Sequence, residues 1–142
     1  VPGSSGHIAE YLIDHGHDVT VVDNLATGNM GNIQQLRDNP HFHFVQGSIT
    51  DLDLLNDTFK NADGIFHQAA IPSVPRSIKD PVATNDANVN GTIAVLVAAK
   101  ECGVGKVVYA SSSSVYGDTP TLPKMEGMLP NPKSPYAVSK LA

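Results

Sequence analysis

Short apolar runs recur along this chain with helix-length segments between them, and that alternation restricts the fold more than any other feature. Val19 to Val22, Phe42 to Val45, Ile65 to Phe66 and Val107 to Tyr109 each read as a strand, and Val1 reads as the last residue of another one. Runs this short suit strands buried on both faces. Such strands, separated by helices, build a parallel sheet covered on both sides. The expected fold is α/β, a doubly wound, Rossmann-like parallel sheet of five strands in the order 3-2-1-4-5. It forms one domain over residues 1–142 that reads as incomplete at both ends.

The segments between the strands carry their own punctuation. Gly3-Ser4-Ser5-Gly6 reads as a turn, and His7 to His15 as a helix with Ile8, Leu12 and Tyr11 turned inward, closed by Gly16. Ile33 to Arg37 is a short helix, and Leu52 to Phe59 a longer one with Asp51 as its cap. Ile71 to Lys79, interrupted by prolines, reads as loop. Asp80-Pro81 pairs an N-cap with a proline at the first helical position, opening a helix that reaches about Glu101. Val82, Val89, Ile93, Leu96 and Val97 give that helix an apolar face. Ala83, Ala87, Gly91, Ala94 and Ala98 give it a small-residue stripe, suited to packing on the sheet or to a subunit contact. A proline-rich loop from Asp118 to Lys133 precedes the last helix, which Ser134-Pro135 opens.

Ligands in such a sheet bind at the carboxyl ends of the strands. Gly3 to Gly6 follow the expected first strand, Asp23 ends the second, His67 to Ala70 follow the fourth, and Ser111 to Ser114 follow the fifth. Glycines after a first strand let the backbone approach a pyrophosphate. Asp23 can accept hydrogen bonds from both hydroxyls of an adenosine ribose and would repel a 2′-phosphate, which favours NAD over NADP. The competing reading of Asp23-Asn24 is an ordinary strand-end turn. Tyr136 and Lys140 stand at i and i+4, one helical turn apart on one face. A free tyrosine titrates near pH ~10, and an adjacent ammonium favours its phenolate. A tyrosine so tuned could exchange a proton with a substrate hydroxyl while a strand-end serine steadies the same oxygen. The bland alternative is a chance pair on an exposed helix; the strand and serine turn ahead of it argue for chemistry.

Composition removes several other functions. Apolar residues make up 41% of the chain and charged ones 16%, the balance of a globular protein. The net charge of −5, without a basic cluster, argues against a nucleic-acid partner. No apolar run is long enough to span a membrane. The lone Cys102 cannot close an internal disulfide, which fits a reducing cytoplasm. His41 and His43 share a strand face but lack Cys or carboxylate partners at ligand spacing, so no metal is expected. No Gly-x-Ser-x-Gly elbow supports a hydrolase.

Several motifs together are specific. They are Gly16-His17-Asp18-Val19, Val22-Asp23-Asn24-Leu25, His67-Gln68-Ala69-Ala70, Ser73-Val74-Pro75-Arg76-Ser77, Asn88-Val89-Asn90-Gly91-Thr92, the serine run ending in Val115-Tyr116-Gly117, and Ser134-Pro135-Tyr136-Ala137-Val138-Ser139-Lys140. Through them, over essentially its whole length, the chain resembles the extended short-chain dehydrogenase/reductases, and within them the NAD-dependent nucleotide-sugar epimerases that act on UDP-glucose or UDP-N-acetylglucosamine at carbon 4. The resemblance implies Tyr136 as catalytic acid/base, Lys140 as the partner that binds the nicotinamide ribose, and Ser112 as the serine on the sugar hydroxyl. It implies cofactor contacts from Gly3, Gly6, Asp23, Asn24, Ser48, Ile49, His67 (through its backbone), Ala69, Ala70 and Asn88, besides Tyr136 and Lys140. It implies substrate contacts from Ser73, Val74, Arg76, Ser112, Ser113 and Tyr136. NAD is the implied cofactor, a UDP-sugar the implied substrate, and a homodimer through the Pro81–Glu101 helix and the Tyr136 helix the implied assembly.

The chain departs from the family pattern in three places. Gly6 is followed directly by His7, as if about four residues were absent between them, and a break in the chain is expected there. Ser48 stands where the family usually has an aspartate on the adenine amino group. The chain also stops just after the Tyr136 helix begins, so a substrate-binding part is expected beyond it. The leading activity is 4-epimerisation through a transient 4-keto sugar. Dehydratases and decarboxylases of the same superfamily usually carry an acid just after the catalytic Ser or Thr, where this chain has Ser113 and Ser114. A non-catalytic dinucleotide-binding module is the alternative from another class.

Overall fold

The computed structural model describes residues 3–142; Val1, expected to end a first strand, lies outside them. Helix α1 (Gly3–Asp14) runs unbroken across Gly6 and His7. The expected turn at Gly3 to Gly6 and the expected break after Gly6 are therefore both corrected. The reason lies in packing: a Cβ on Gly6 would come within 2.7 Å of the Asn32 carbonyl oxygen. Glycine alone lets the helix lie directly on the segment that follows β1. Ala9 and Ile13 supply the inner face, while Tyr11 turns outward and stacks on the His15 ring at 4.0 Å. Gly16, with φ +84, ends the helix as expected.

Strands β1 (Val19–Asp23) and β2 (Phe42–Gln46) pair in parallel, Val19 opposite Phe42 and Asp23 opposite Gln46. A 3-10 helix, Met30–Leu36, connects them and buries Ile33 and Leu36. Ala9, Ile13, Ile33, Leu36 and Phe42 form one core. At the edge of this layer His41 Nδ1 lies 2.8 Å from Asp18 Oδ1.

Helix α2 (Leu52–Thr58) starts at Asp51, whose carboxylate accepts from Leu54 N at 3.1 Å, the cap read from the sequence. Strands β3 (Gly64–His67) and β4 (Lys106–Tyr109) form a second parallel pair, with His67 opposite Tyr109. Among the described residues the sheet consists of these two pairs. They are the neighbours that the order 3-2-1-4-5 requires on either side of its first strand. A second core of Leu55, Phe59, Val95 and Ala98 lies under β3.

Ile71 to Lys79 is not all loop, because Val74–Lys79 forms helix α3. Ser73 caps it by accepting from Arg76 N at 3.2 Å. Pro75 falls in the first turn, where a missing N–H costs nothing. The long helix expected from Pro81 to Glu101 starts as predicted, at the Asp80 cap, but it is three pieces. These are α4 (Pro81–Asn85), a π-helical turn (Asp86–Asn90) and α5 (Gly91–Glu101). The extra residue of a π turn rotates everything after it by about 100°. On α5 the small-residue stripe takes the packing role that the sequence allowed it. Ile93 and Leu96 are 55% and 51% exposed, whereas Gly91, Val95, Ala98 and Ala99 face the core. The small-residue side of α5 thus packs inward, and the apolar stripe is open.

After β4, Ser112 caps a 3-10 turn, Ser113–Tyr116. The expected loop to Lys133 follows and is tied back by Asn131 N donating to Val115 O at 2.8 Å. Helix α6 (Pro135–Leu141) closes the described chain.

Candidate active site

Helix α6 is built to be held in one place. Ser134 Oγ accepts from Ala137 N at 3.1 Å and Pro135 occupies the first turn, so the start is fixed. Ala137, Ser139 and Lys140 are buried. Lys140, only 7% exposed, donates from Nζ to Ala110 O at 2.9 Å, just past the end of β4. Its ammonium also lies 4.9 Å from the centre of the Tyr109 ring, within cation–π range. Burial lowers the Lys140 pKa, while Tyr109, itself partly desolvated and facing Tyr136, has its pKa raised. Tyr136, half-buried, sits one turn before Lys140 on the same face of α6.

Ala110, which holds Lys140, is followed two residues later by Ser112. Ser112 Oγ lies 2.9 Å from Ser114 Oγ and accepts from Ser114 N at 3.3 Å. Ser113 is exposed. A cleft of about 380 Å³ opens here between Tyr109, Ser111, Tyr116, Met128 and Lys140.

A buried polar chain runs beside this site. His67, at the end of β3, is 4% exposed. Thr92 Oγ1 donates to Asn88 O at 2.6 Å. With its one proton so used, that hydroxyl accepts from His67 Nε2 at 2.8 Å, which assigns the proton of a neutral ring to Nε2. Burial, with the Lys140 charge second, pushes the His67 pKa down from 6.5 to about 4. Asn88 lies in the middle of the π turn and is 2% exposed. Its Oδ1 accepts from Ile71 N at 2.7 Å, and its Nδ2 donates to Ser139 Oγ at 2.9 Å. Ser139 Oγ donates in turn to Tyr136 O at 2.8 Å.

The remaining residues singled out from the sequence lie around this centre or in the first layer. Asp23 ends β1, and its Oδ1 accepts from Leu25 N at 2.6 Å. Exposed Asn24 turns its Oδ1 to Ala26 N at 3.0 Å. Ser48 Oγ is 2.7 Å from Thr50 Oγ1, and Ile49 packs against the second core. Ala69 and Ala70 are half-buried just after β3. Ser73 caps α3, with Val74 and Arg76 exposed on it. Gly3 and Gly6 lie within α1. Sequence reasoning gave no role to Tyr109, Thr92 or Ser139. Thr92 and Ser139 belong to motifs quoted above, but nothing in spacing foretells that a π turn brings their partners together.

The donor set suits a dinucleotide. A carboxylate ends β1, small residues follow β3, and an ammonium and a phenol stand beside the end of β4. Residues 4–142 match the NAD dependent epimerase/dehydratase family. The chain is 42% identical to a UDP-glucose 4-epimerase of Mycolicibacterium smegmatis over 149 residues, covering 100% of this chain and 47% of that protein. Among solved structures, a UDP-N-acetylglucosamine 4-epimerase from Methanobrevibacter ruminantium aligns with a TM-score of 0.88 at 35% identity, covering 96% of this chain and 43% of that one. A dTDP-glucose 4,6-dehydratase from Streptomyces venezuelae, solved with NAD bound, aligns with a TM-score of 0.89 at 35% identity, covering 98% and 44%. The chain therefore spans less than half the length of each.

Proposed function

Because the chain belongs to the NAD dependent epimerase/dehydratase family, we propose that it is the cofactor-binding and catalytic portion of a nucleotide-sugar 4-epimerase acting on a UDP-sugar. The observation that carries this reading is the anchoring of α6. Lys140 is held on Ala110 O at 2.9 Å, two residues before Ser112, and Tyr136 precedes Lys140 by one turn on the same helix face. NAD, when bound, accepts a hydride from the sugar carbon and returns it. Asp23 and Asn24 after β1, Ser48 and Ile49 after β2, and Ala69, Ala70 and the His67 backbone after β3 would line its path, with Gly3 and Gly6 at the α1 end. Tyr136, favoured as the phenolate by the neighbouring ammonium of Lys140, would take the proton of the sugar 4-hydroxyl and become the neutral phenol. Ser112 steadies the same oxygen. The 4-keto sugar would then turn over within the site, and Tyr136, now the neutral phenol, would give the proton back to the 4-oxygen. Ser73, Val74, Arg76 and Ser113 would contact the substrate.

A 4,6-dehydratase is the second reading, supported by the likeness to the Streptomyces venezuelae enzyme. Against it, Ser113 and Ser114 stand where such relatives usually carry an acid. Incubating the complete NAD-loaded protein with UDP-glucose and resolving the products separates the two. UDP-galactose is expected; a stable 4-keto-6-deoxy sugar would replace the first reading by the second, and no product from any nucleotide-sugar would leave a dinucleotide-binding module. The same reading includes a homodimer through α5 and α6, supported by the open stripe of Ile93 and Leu96 on α5 and the exposed Val138 and Leu141 on α6. Sedimentation of the complete protein as a monomer would remove that part.

A further inference from the structure

We propose that Ser139, held by Asn88, is a positioning residue for Tyr136. The inference rests on the catalytic role proposed for Tyr136 and adds how that side chain is kept in place. Two neighbouring residues of α6 fasten the helix to two different elements. Lys140 reaches the end of β4 through Ala110 O at 2.9 Å. Ser139 reaches the π turn through Asn88 Nδ2 at 2.9 Å. One attachment alone leaves a short helix free to roll about that point; two directions remove the roll. The Ser139 hydroxyl fills both of its available roles, accepting from Asn88 and donating to Tyr136 O at 2.8 Å. The bond therefore ends on the backbone of the residue whose ring must meet the substrate.

Asn88 is itself fixed by two further partners. Its amide oxygen takes Ile71 N at 2.7 Å, and its carbonyl takes the Thr92 hydroxyl at 2.6 Å. That hydroxyl is in turn held by His67 at 2.8 Å. Ile71, on the segment after β3, thus orients the amide toward Ser139, while Thr92, held by His67, fastens the Asn88 backbone. Asn88 stands in the middle of the π turn, with its side chain between Ile71 and Ser139. The chain uses all of these buried polar groups on each other, next to the one helix whose placement the chemistry depends on. A misplacement of about 1 Å at a reacting group can cost on the order of 100-fold in rate.

The test uses the complete, NAD-loaded protein with Ser139→Ala, which removes one hydroxyl and leaves a good helix former. The expected result is a roughly tenfold fall in kcat, with KM and NAD affinity within about twofold of the parent. A ring-labelled tyrosine spectrum supplies a readout that does not depend on turnover. The Tyr136 signal, identified by its loss in Tyr136→Phe, should move in Ser139→Ala while those of Tyr11 and Tyr116 stay. An unmoved Tyr136 signal with unchanged kcat overturns the proposal, and so does a kcat loss explained by a lower thermal midpoint with the signal unmoved. Tyr136→Phe keeps the two readings apart. Turnover that survives it removes the proposed function, whereas loss of turnover there with a silent Ser139→Ala removes only the positioning role.

Discussion

The layer from Gly3 to Gln46 and the region from Gly64 to Leu141 contain the same kind of parallel strand pair but use polar residues in different ways. In the first, several side-chain hydrogen bonds are local and open to solvent: Asn24 to Ala26 N, Asn29 to Gly31 N, Asn39 to His41 N; the His41–Asp18 pair, 23 positions apart, is exposed as well. The local ones shape turns. The second has such local caps too, but it adds polar bonds that join residues far apart in sequence and lie buried or partly buried: His67 with Thr92, Asn88 with Ser139, Lys140 with Ala110. They fix one element against another. A local bond can be lost and the turn still forms, because chain connectivity keeps its ends together. A buried long-range bond has no such substitute, and its broken half is left without water.

The largest effect expected from this contrast is catalytic. Tyr136→Phe in the complete protein should lower turnover by at least about 1000-fold and leave NAD binding nearly intact, as equilibrium titration would read. Asp23→Ala in the other layer should do the reverse, weakening NAD binding far more than it lowers kcat at saturation. Equal effects on both parameters from both variants would erase the functional side of the comparison.

The two cores can be set against each other next. Leu55→Ala and Ile33→Ala each truncate a fully buried side chain, at about 2–5 kcal/mol each. Hydrogen exchange should report the losses in different places. Ile33→Ala deprotects β1 and β2 and spares β3 and β4, and Leu55→Ala does the opposite. Uniform deprotection by either variant would mean that the two layers open as one unit.

His67 ties acid stability to the second region. The unfolded chain protonates this ring below about pH 6.5, the folded chain only below about pH 4. The unfolded state therefore binds more protons between these values, and stability falls as pH drops through that window. The full loss, reached below pH ~4, is on the order of 3 kcal/mol. His67→Gln, which keeps a donor for Thr92 and cannot titrate, should flatten the pH dependence of the unfolding midpoint over the same window; a profile identical to the parent would refute the assignment.

The smallest expected effect is Ser134→Ala. Loss of the cap on α6 should cost about 1 kcal/mol by denaturant midpoint, and because that helix carries Tyr136, kcat should fall as well. Asn29→Ala at the cap of the first layer's 3-10 helix should lower stability by a similar amount with kcat unchanged.

The reach of the sequence follows the range of the interaction. The four strands from Val19 onward, the caps at Asp51, Asp80 and Ser134, and the stop at Gly16 are local events, set by side chains within a few positions of each other, and were legible. So were the parallel pairing and the placement of Tyr136 and Lys140 on one helix face. The helix across Gly6 was not, because it depends on a contact with Asn32 that no local pattern encodes. The sequence left the small-residue stripe of α5 open between packing on the sheet and a subunit contact, and it did not show the extra residue of the π turn. Asn88 could be marked as important from its motif, but its partners Ile71 and Ser139 stand 17 and 51 positions away. The sequence by itself determined the four strands after Val1 and the caps and stops of several helices, since propensity, capping and period act over a turn or two of chain. Only the tertiary structure decided which way α5 faces and how α6 is held, because a buried hydrogen bond exists only once both ends have been brought out of water together.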